Sequence, residues 1–359
     1  MATMDWKKYL RGVNLDSTSY CNAKCAACSR NDDYNNNEKQ PWLPLTHMSV
    51  DLWEKISIEL KEFPMIEELV WNGSWGDACM NPKLHDFLKI WGTHHPQTYV
   101  EVNTNGGTYN PKWWGDLAKI CRHNLAHHRF VVAIDGVGEE SHGKYRRSTS
   151  YNKIIDNMKA FTDNGGIARW TMTLFNHNFH QIEEALEIAK EVGFVEFEVR
   201  QSHIDQAQYV DENGVTQYIK TDEVTDEYFN RLSFKYGHDI IVLDEEKRGA
   251  LGGEPWDREI RPKSLGHQCH WFDVGKIQID PWGNIWPCCH TSDTSINPPE
   301  METGVLKFID ESDRGFNNAN DHTMTEILTH PWYEEYLDKV VNRAEMPVCV
   351  EFCNVKKII

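Results

Sequence analysis

The chain has 359 residues and a formal charge of −18, from 37 basic and 55 acidic side chains. A surface that acidic disfavours non-specific binding to nucleic acid or to an anionic membrane. No run of about 18 apolar residues occurs, which excludes a membrane-spanning helix, and residues 1–10 lack an apolar signal core, so a cytoplasmic protein is expected. Ten cysteines in such a chain point to metal or redox chemistry rather than to a disulfide framework.

The length allows a large core and two domains. Residues 12–17 read as a first strand, which runs into Cys21, Cys25 and Cys28, spaced C-x3-C-x2-C. Three thiolates so close together can cap three corners of one iron–sulfur cube and leave the fourth iron open to a small chelating molecule. A partial zinc knuckle would use the same residue type, but structural zinc sites supply four protein ligands and commonly use C-x2-C pairs. Residues 29–48 are polar and read as a loop. Ser49 suits the N-cap of a helix over about 50–63, with Leu52, Trp53, Ile56, Leu60 and Phe63 at helical spacing.

A β-then-α alternation follows. Strands are predicted at 66–72, 99–104, 130–134, 168–175 and 194–199, and helices at 82–94, 111–122, 151–164 and 179–192. Pro111 suits a first helical turn, and Gly165 and Gly193 suit helix ends. Six such units with short links predict a parallel sheet with right-handed crossovers, too few for a complete eight-stranded barrel. The expected architecture is α/β, an open partial (β/α)6 TIM barrel over residues 10–205. In parallel barrels ligand contacts gather after the C-terminal ends of the strands. Those ends carry the cysteine loop, Gly76-Asp77, Asn105-Gly106 and Asp135-Gly136.

On these residues the chain resembles the radical S-adenosylmethionine (radical SAM) superfamily. Its hallmark is C-x3-C-x2-C after a first strand. The residue before the third cysteine is often aromatic there and is Ala27 here. Trp75-Gly76-Asp77-Ala78 resembles the family's Gly-Gly-Glu-Pro-like stretch, which contacts the amino group of SAM. Thr104-Asn105-Gly106 and Ile134-Asp135-Gly136 are frequent in the family, and so is a His…Tyr-Arg segment, matched by His142 and Tyr145-Arg146. The resemblance implies that Gly76, Asp77, Asn105, Asp135 and Arg146 contact SAM, with Asp135 and Arg146 on its ribose and carboxylate. A serine common two residues before that Asp is Ala133 here.

Residues 205–264 are acidic and glycine-rich and read as an inserted bridge with one or two short helices, or as a plain linker. Cys269 opens a second constellation. A hairpin is predicted over 274–286 with its turn at Pro281-Trp282-Gly283-Asn284, and its pairing would bring Cys269 and Cys288 together. A helix is expected over about 323–341, followed by Cys349 and Cys353. Cys269, Cys288, Cys349 and Cys353 could complete either an iron–sulfur site or a zinc site. A cysteine, 13 residues, a glycine, four residues and a cysteine resemble the SPASM/twitch domains of radical SAM enzymes, which implies a single auxiliary [4Fe–4S] cluster. Cys289 is a spare thiol beside Cys288, Cys79 an unligated thiol, and Cys121 a core residue. The domains expected are 1–205, a bridge over 206–264, and an auxiliary-cluster domain over 265–359.

The resemblance implies a [4Fe–4S] cluster that takes an electron from a flavodoxin-like or ferredoxin-like donor. SAM is then cleaved to methionine and a 5′-deoxyadenosyl radical, which abstracts hydrogen from substrate. The auxiliary cluster could accept the substrate's electron, making the enzyme oxidoreductase-like, or could anchor substrate or be structural. Asn72-Gly73-Ser74-Trp75-Gly76-Asp77 and Trp286-Pro287-Cys288-Cys289 also look like radical SAM/SPASM proteins of phages and marine bacteria. Three substrate classes are open: a small metabolite, a ribosomal peptide, and a nucleic-acid base. Net charge disfavours the last, and a small molecule is favoured over a peptide because no leader-binding module fits ahead of the first strand. A non-catalytic iron–sulfur or zinc redox carrier would explain the cysteines but not the glycine and Asp pattern on successive strand ends.

Overall fold

A computed structural model describes residues 5–202, 204–211, 213–225, 227–228, 240–249, 269, 271, 274–295, 305–335 and 349. In chain order the strands are β1 (Gly12–Leu15), β2 (Asn31–Asp32), β3 (Glu38–Lys39), β4 (Glu68–Trp71), β5 (Tyr99–Thr104), β6 (His127–Ala133), β7 (Ala168–Leu174), β8 (Glu196–Gln201), β9 (Gln206–Val210), β10 (Thr216–Lys220), β11 (Ile240–Val242), β12 (Lys276–Ile279) and β13 (Ile285–Trp286). The first seven helices are α1 (Trp6–Tyr9), α2 (Val50–Glu59), α3 (Leu84–His94), α4 (Pro111–Asn124), α5 (Gly138–Tyr145), α6 (Tyr151–Asp163) and α7 (Ile182–Val192). All six expected strands of the β-then-α alternation are present. The chain forms two compact units, one of Met1–Tyr20, Pro44–Val100 and Glu254–Ile359, the other of Cys21–Leu43 and Glu101–Gly253.

In the first unit β4, β1 and β12 run parallel, and β13 returns antiparallel to β12. Gly12 lies opposite both Glu68 and Lys276, whose side chains form an ion pair. A Cβ on Gly12 would meet the Glu68 carboxylate at 2.7 Å, so glycine leaves the space that the pair occupies. The expected hairpin over 274–286 is present, and its first strand extends the sheet beside β1 rather than forming a sheet of its own. Asp280 shapes its turn by accepting from the Trp282 and Asn284 backbone N–H groups at 2.9 Å each. Ser49 caps α2 by accepting from the Leu52 N–H. The buried face of that helix sets Trp53 against Phe87 and Trp91 of α3, each with ring centroids 5.5 Å apart. The helix expected over 323–341 is broken within its described part into Met324–Leu328 and Pro331–Glu335. Pro331 has no N–H to continue the first of these.

In the second unit the strand order is β11, β8, β7, β6, β5. β6, β7 and β8 are parallel and β11 is antiparallel to β8. The loop read over 29–48 contains the hairpin β2–β3. Its turn places Asn36 and Asn37 at φ of 55° and 56°, the left-handed conformation that asparagine adopts more readily than most residues. The reading of 206–264 as a bridge with one or two short helices does not include its strands. Its described part holds the antiparallel hairpin β9–β10 and strand β11, with one short helix at Glu245–Gly249. Asp211 accepts from the Asn213 and Val215 N–H groups and fixes a turn with Gly214 at φ +77°.

A buried knot of charge sits near the starts of these strands. The Glu196 carboxylate is shared by Arg129 at 3.0 Å, Arg169 at 2.8 Å and Arg248 at 3.0 Å. Burial opposes its charge, but Arg169 and Arg129 outweigh burial and hold the carboxyl below its ordinary range. Arg129 keeps Glu101 and Arg169 keeps Glu198 as partners, so Glu196→Gln removes the shared charge without stranding either guanidinium, at a cost of about 1.5–3 kcal/mol in chemical denaturation at neutral pH. A depressed folded-state pKa contributes stability that is lost as pH falls through it. The gap between Glu196→Gln and wild type should accordingly narrow in acid, and a gap that is constant with pH would contradict this account.

Candidate functional site

The cysteine loop belongs to the second unit, and its shape is set by hydrogen bonds to its own backbone. Asn31 N donates to the Cys28 carbonyl at 2.8 Å, and the Asn31 side chain donates to the Cys25 carbonyl at 3.0 Å. Ala27 has φ 57°, and its N–H donates to both Asp33 carboxylate oxygens, at 2.9 and 3.1 Å. Ala26 is fully buried with Phe175, Ala207 and Ile219, and Ala27, Tyr145 and Tyr209 pack against that cluster. The small residue at 27 thus sits in a wall whose rings come from elsewhere in the chain.

Two polar side chains reach the sulfurs. Asn105 Nδ2 approaches Cys21 Sγ at 3.8 Å and donates to Asn22 Oδ1 at 2.9 Å. Arg146 Nη1 approaches Cys25 Sγ at 3.7 Å, while its Nε donates to Asp135 Oδ2 at 2.5 Å. The other Asp135 oxygen accepts from Thr173 N at 2.6 Å. Asn105, Asp135 and Arg146 are therefore gathered around the cysteine loop. Asp135 is committed to Arg146 and to the backbone of β7.

Burial pushes the Cys25 thiol up to about 11, partly offset by the Arg146 charge, and raises Cys28 as well. Buried thiols resist ionisation, and thiolates bind metal. A cationic iron centre is what makes such a donor set favourable, since metal binding displaces the thiol protons. No three histidine, cysteine or carboxylate side chains among the described residues form a site for a single metal ion. An iron–sulfur cube instead distributes its thiolates over separate irons.

Sequence reasoning passed over Asp33 and Arg147. Arg147 donates to Asn36 Oδ1 at 2.8 Å, to Asn37 Oδ1 at 2.7 Å and to the Val210 carbonyl at 3.0 Å. Its guanidinium also lies 4.9 Å from the Tyr209 ring centroid. Hairpins β2–β3 and β9–β10 are thereby tied together beside the cysteines. The available signal was the Asn213-Gly214 turn between alternating residues.

The first unit holds Gly76 and Asp77. A Cβ at Gly76 would stand 2.5 Å from the Tyr20 carbonyl and 2.6 Å from that of Thr18. Asp77 is buried, its N–H donates to the Tyr20 carbonyl at 2.9 Å, and its carboxylate caps the turn Ala78–Met80 through Cys79 N. This unit also holds Cys269 and Cys288, which lie close enough for each charge to affect the other. Cys288 caps the short helix Cys289–Thr294 with Thr291. Burial, together with Cys289 and Cys269, raises its thiol. Asp16 is raised by burial and by Asp293, and burial lifts Asp293 to about 7. Cys349 is buried, while Cys353 lies outside the described residues. Cys79 and Cys121 are fully buried, as a core role for Cys121 requires.

The fold is α/β with mostly parallel strands, and its strand ends carry a three-thiol loop with cationic and amide donors. That combination defines a class of iron–sulfur enzyme. Residues 15–192 match the family model described as the Radical SAM superfamily, and the chain belongs to that superfamily. It is a radical SAM enzyme, and the family's cofactors are a [4Fe–4S] cluster and SAM. Among solved structures the chain is similar to SuiB of Streptococcus suis, with 15% identity over 92% of this chain and 68% of that one and a TM-score of 0.56. Native anSMEcpe with bound AdoMet is similar at 13% identity over 91% of this chain and 82% of that one, also with a TM-score of 0.56. SuiB bound to its precursor peptide SuiA is similar at 13% identity over 91% and 66%, with a TM-score of 0.56. These likenesses show the fold. A comparison with curated proteins finds no match in sequence. Among the described residues no helix is long and apolar enough to cross a membrane.

Gly76→Ala tests the close approach in the first unit. The new Cβ meets backbone carbonyls that cannot rotate away, so a loss of about 1–3 kcal/mol is expected in thermal or chemical unfolding. Gly143 in α5 has nothing within 4 Å of its would-be Cβ, and Gly143→Ala should leave stability unchanged or raise it. Equal behaviour of the two variants would remove the steric argument for Gly76.

Proposed function

We propose that Cys21, Cys25 and Cys28 hold the [4Fe–4S] cluster that binds SAM, and that Cys269, Cys288, Cys349 and Cys353 hold an auxiliary [4Fe–4S] cluster. The carrying observation is the pair of donors aimed at two of the three loop thiols, Asn105 at Cys21 and Arg146 at Cys25. When bound, the reduced cluster and SAM supply a 5′-deoxyadenosyl radical that abstracts hydrogen from substrate.

The chain's own residues bind and orient. Arg146 keeps guanidinium donors beyond those used on Asp135 and Cys25, and these suit the SAM carboxylate. Asp135 holds that guanidinium in place. Asn105 offers an amide beside Cys21. The wall of Ala26, Ala27, Phe175, Tyr145 and Tyr209 keeps water from the cysteine loop on its apolar side.

The substrate we propose is a small molecule or a peptide. SuiB is known with its precursor peptide, and anSMEcpe with a Cp18Cys peptide, which brings the peptide class into the proposal beside the small molecule favoured by sequence. The reaction is a net oxidation with the auxiliary cluster as electron acceptor. A flavodoxin-like or ferredoxin-like protein of the cytoplasm supplies the electron that starts it.

Anaerobic reconstitution followed by SAM and dithionite should yield 5′-deoxyadenosine. Replacing Cys21, Cys25 and Cys28 together by Ala should abolish that product while iron bound by the second cysteine set remains. A fully loaded protein that makes no 5′-deoxyadenosine, with or without candidate substrates, would refute the enzymatic assignment. A triple variant that retains no iron would refute the second cluster.

A further inference from the structure

Arg146 lies in the C-terminal cap of α5. Its Nη1 lies 3.7 Å from Cys25 Sγ, and its Nε is paired at 2.5 Å with Asp135. Asp135 is almost wholly buried, whereas the Arg146 side chain is about one-fifth exposed, with side-chain exposures of 1% and 21%. Asp135 is itself fixed by Thr173 N, and its own carbonyl accepts from Asn178 at 3.1 Å. The Arg146 backbone is held as firmly, its N–H by the His142 carbonyl and its C=O by Thr149 Oγ1 at 2.6 Å. The order Asp135, Arg146, Cys25 is thus a rigid line of alternating charge that ends on a thiol.

We propose that Arg146 is a positioning residue that sets the reduction potential of the cluster through Cys25, with Asp135 fixing how much of its positive charge the sulfur feels. The proposal rests on the assignment of the cluster to Cys21, Cys25 and Cys28. Reduction adds an electron to the cluster, and a cation held against a ligand sulfur stabilises the added charge. Hydrogen bonds to the sulfurs and local net charge are established determinants of such potentials, and a charge away from bulk water acts through a low effective dielectric. The Asp135 carboxylate opposes this effect from one guanidinium further away. Asn105 at Cys21 is a neutral donor at 3.8 Å, so its contribution is the smaller. A clamp for the SAM carboxylate alone would not need a donor directed at the thiol.

The two charges predict shifts of opposite sign. The measurement is an EPR-monitored redox titration of the reconstituted full chain without SAM, read on the signal that Cys25→Ala removes. Arg146→Gln should move the midpoint to more negative potential, and Arg146→Lys should restore part of the difference. Asp135→Asn, which leaves the guanidinium uncompensated, should move it to more positive potential. Unchanged midpoints in fully loaded variants, or shifts of the same sign in Arg146→Gln and Asp135→Asn, would overturn the proposal. If Arg146→Gln takes up no iron, the sign of the Asp135→Asn shift decides alone. If Cys25→Ala removes neither iron nor an EPR signal, the cluster assignment fails instead, and that failure is distinct.

Discussion

Parallel pairing of β6, β7 and β8 is the constraint on which the second unit depends. It gives these three strands the same direction, so residues at their starts meet one another, and so do residues just beyond their ends. Arg129, Arg169 and Glu196 meet near the starts. Asp135, just past β6, meets the N–H of Thr173 in β7. Buried charges are costly unless paired and hydrogen-bonded, and the two groups answer that cost differently. Around Glu196 one carboxylate is surrounded by guanidinium groups, which leaves a closed knot. At Asp135 a single arginine is bound, and that arginine also faces a thiol. One set of charges holds the strands together, and the other is aimed at the cysteine loop.

The first unit relies on close backbone approach rather than on charge. Gly12 leaves room for the Glu68–Lys276 pair, and Gly76 for the carbonyls of Thr18 and Tyr20. A side chain at either position would displace neighbouring atoms. Asp77 then fixes the turn that follows Gly76 by capping it. Its carboxylate therefore has a structural use in the turn.

Periodicity made the repeating part of the fold legible. Strands at 99–104 and 168–175 and helices at 111–122 and 151–164 announced themselves through apolar spacing, caps and Pro111. They fall within one or two residues of β5, β7, α4 and α6. The cysteine spacing and the Asp and Asn residues at strand ends were equally legible, because a motif at a strand end is local in sequence. Hidden features depended on partners far apart. Hairpin β9–β10 was masked by its acidic, glycine-rich composition, although Asn213-Gly214 marked its turn. The break at Pro331 was overridden by an apolar pattern that ran through it. Asp33 looked like one residue of a polar run, and only the fold brings its carboxylate to the N–H of Ala27.

Ala27 shows how such a long-range partner changes the meaning of a residue. By sequence it is a departure, a methyl group where relatives often carry a ring. Its φ of 57° is a conformation that costs a non-glycine residue of order 1–3 kcal/mol. A charge-assisted hydrogen bond to a carboxylate contributes about 1.5–3 kcal/mol, and Asp33 accepts the Ala27 N–H with both oxygens. The carboxylate is therefore of the right size to hold the strained backbone between Cys25 and Cys28. Asp33 is held in turn by Asn37, whose side chain donates to it at 2.7 Å and to the Gln208 carbonyl of β9 at 3.1 Å. The conformation of the cysteine loop thus depends on hairpin β9–β10 as well as on the cysteine motif. The Ala27 methyl group packs against the same buried cluster as Tyr145 and Tyr209, so the apolar wall beside the loop draws rings from those two residues.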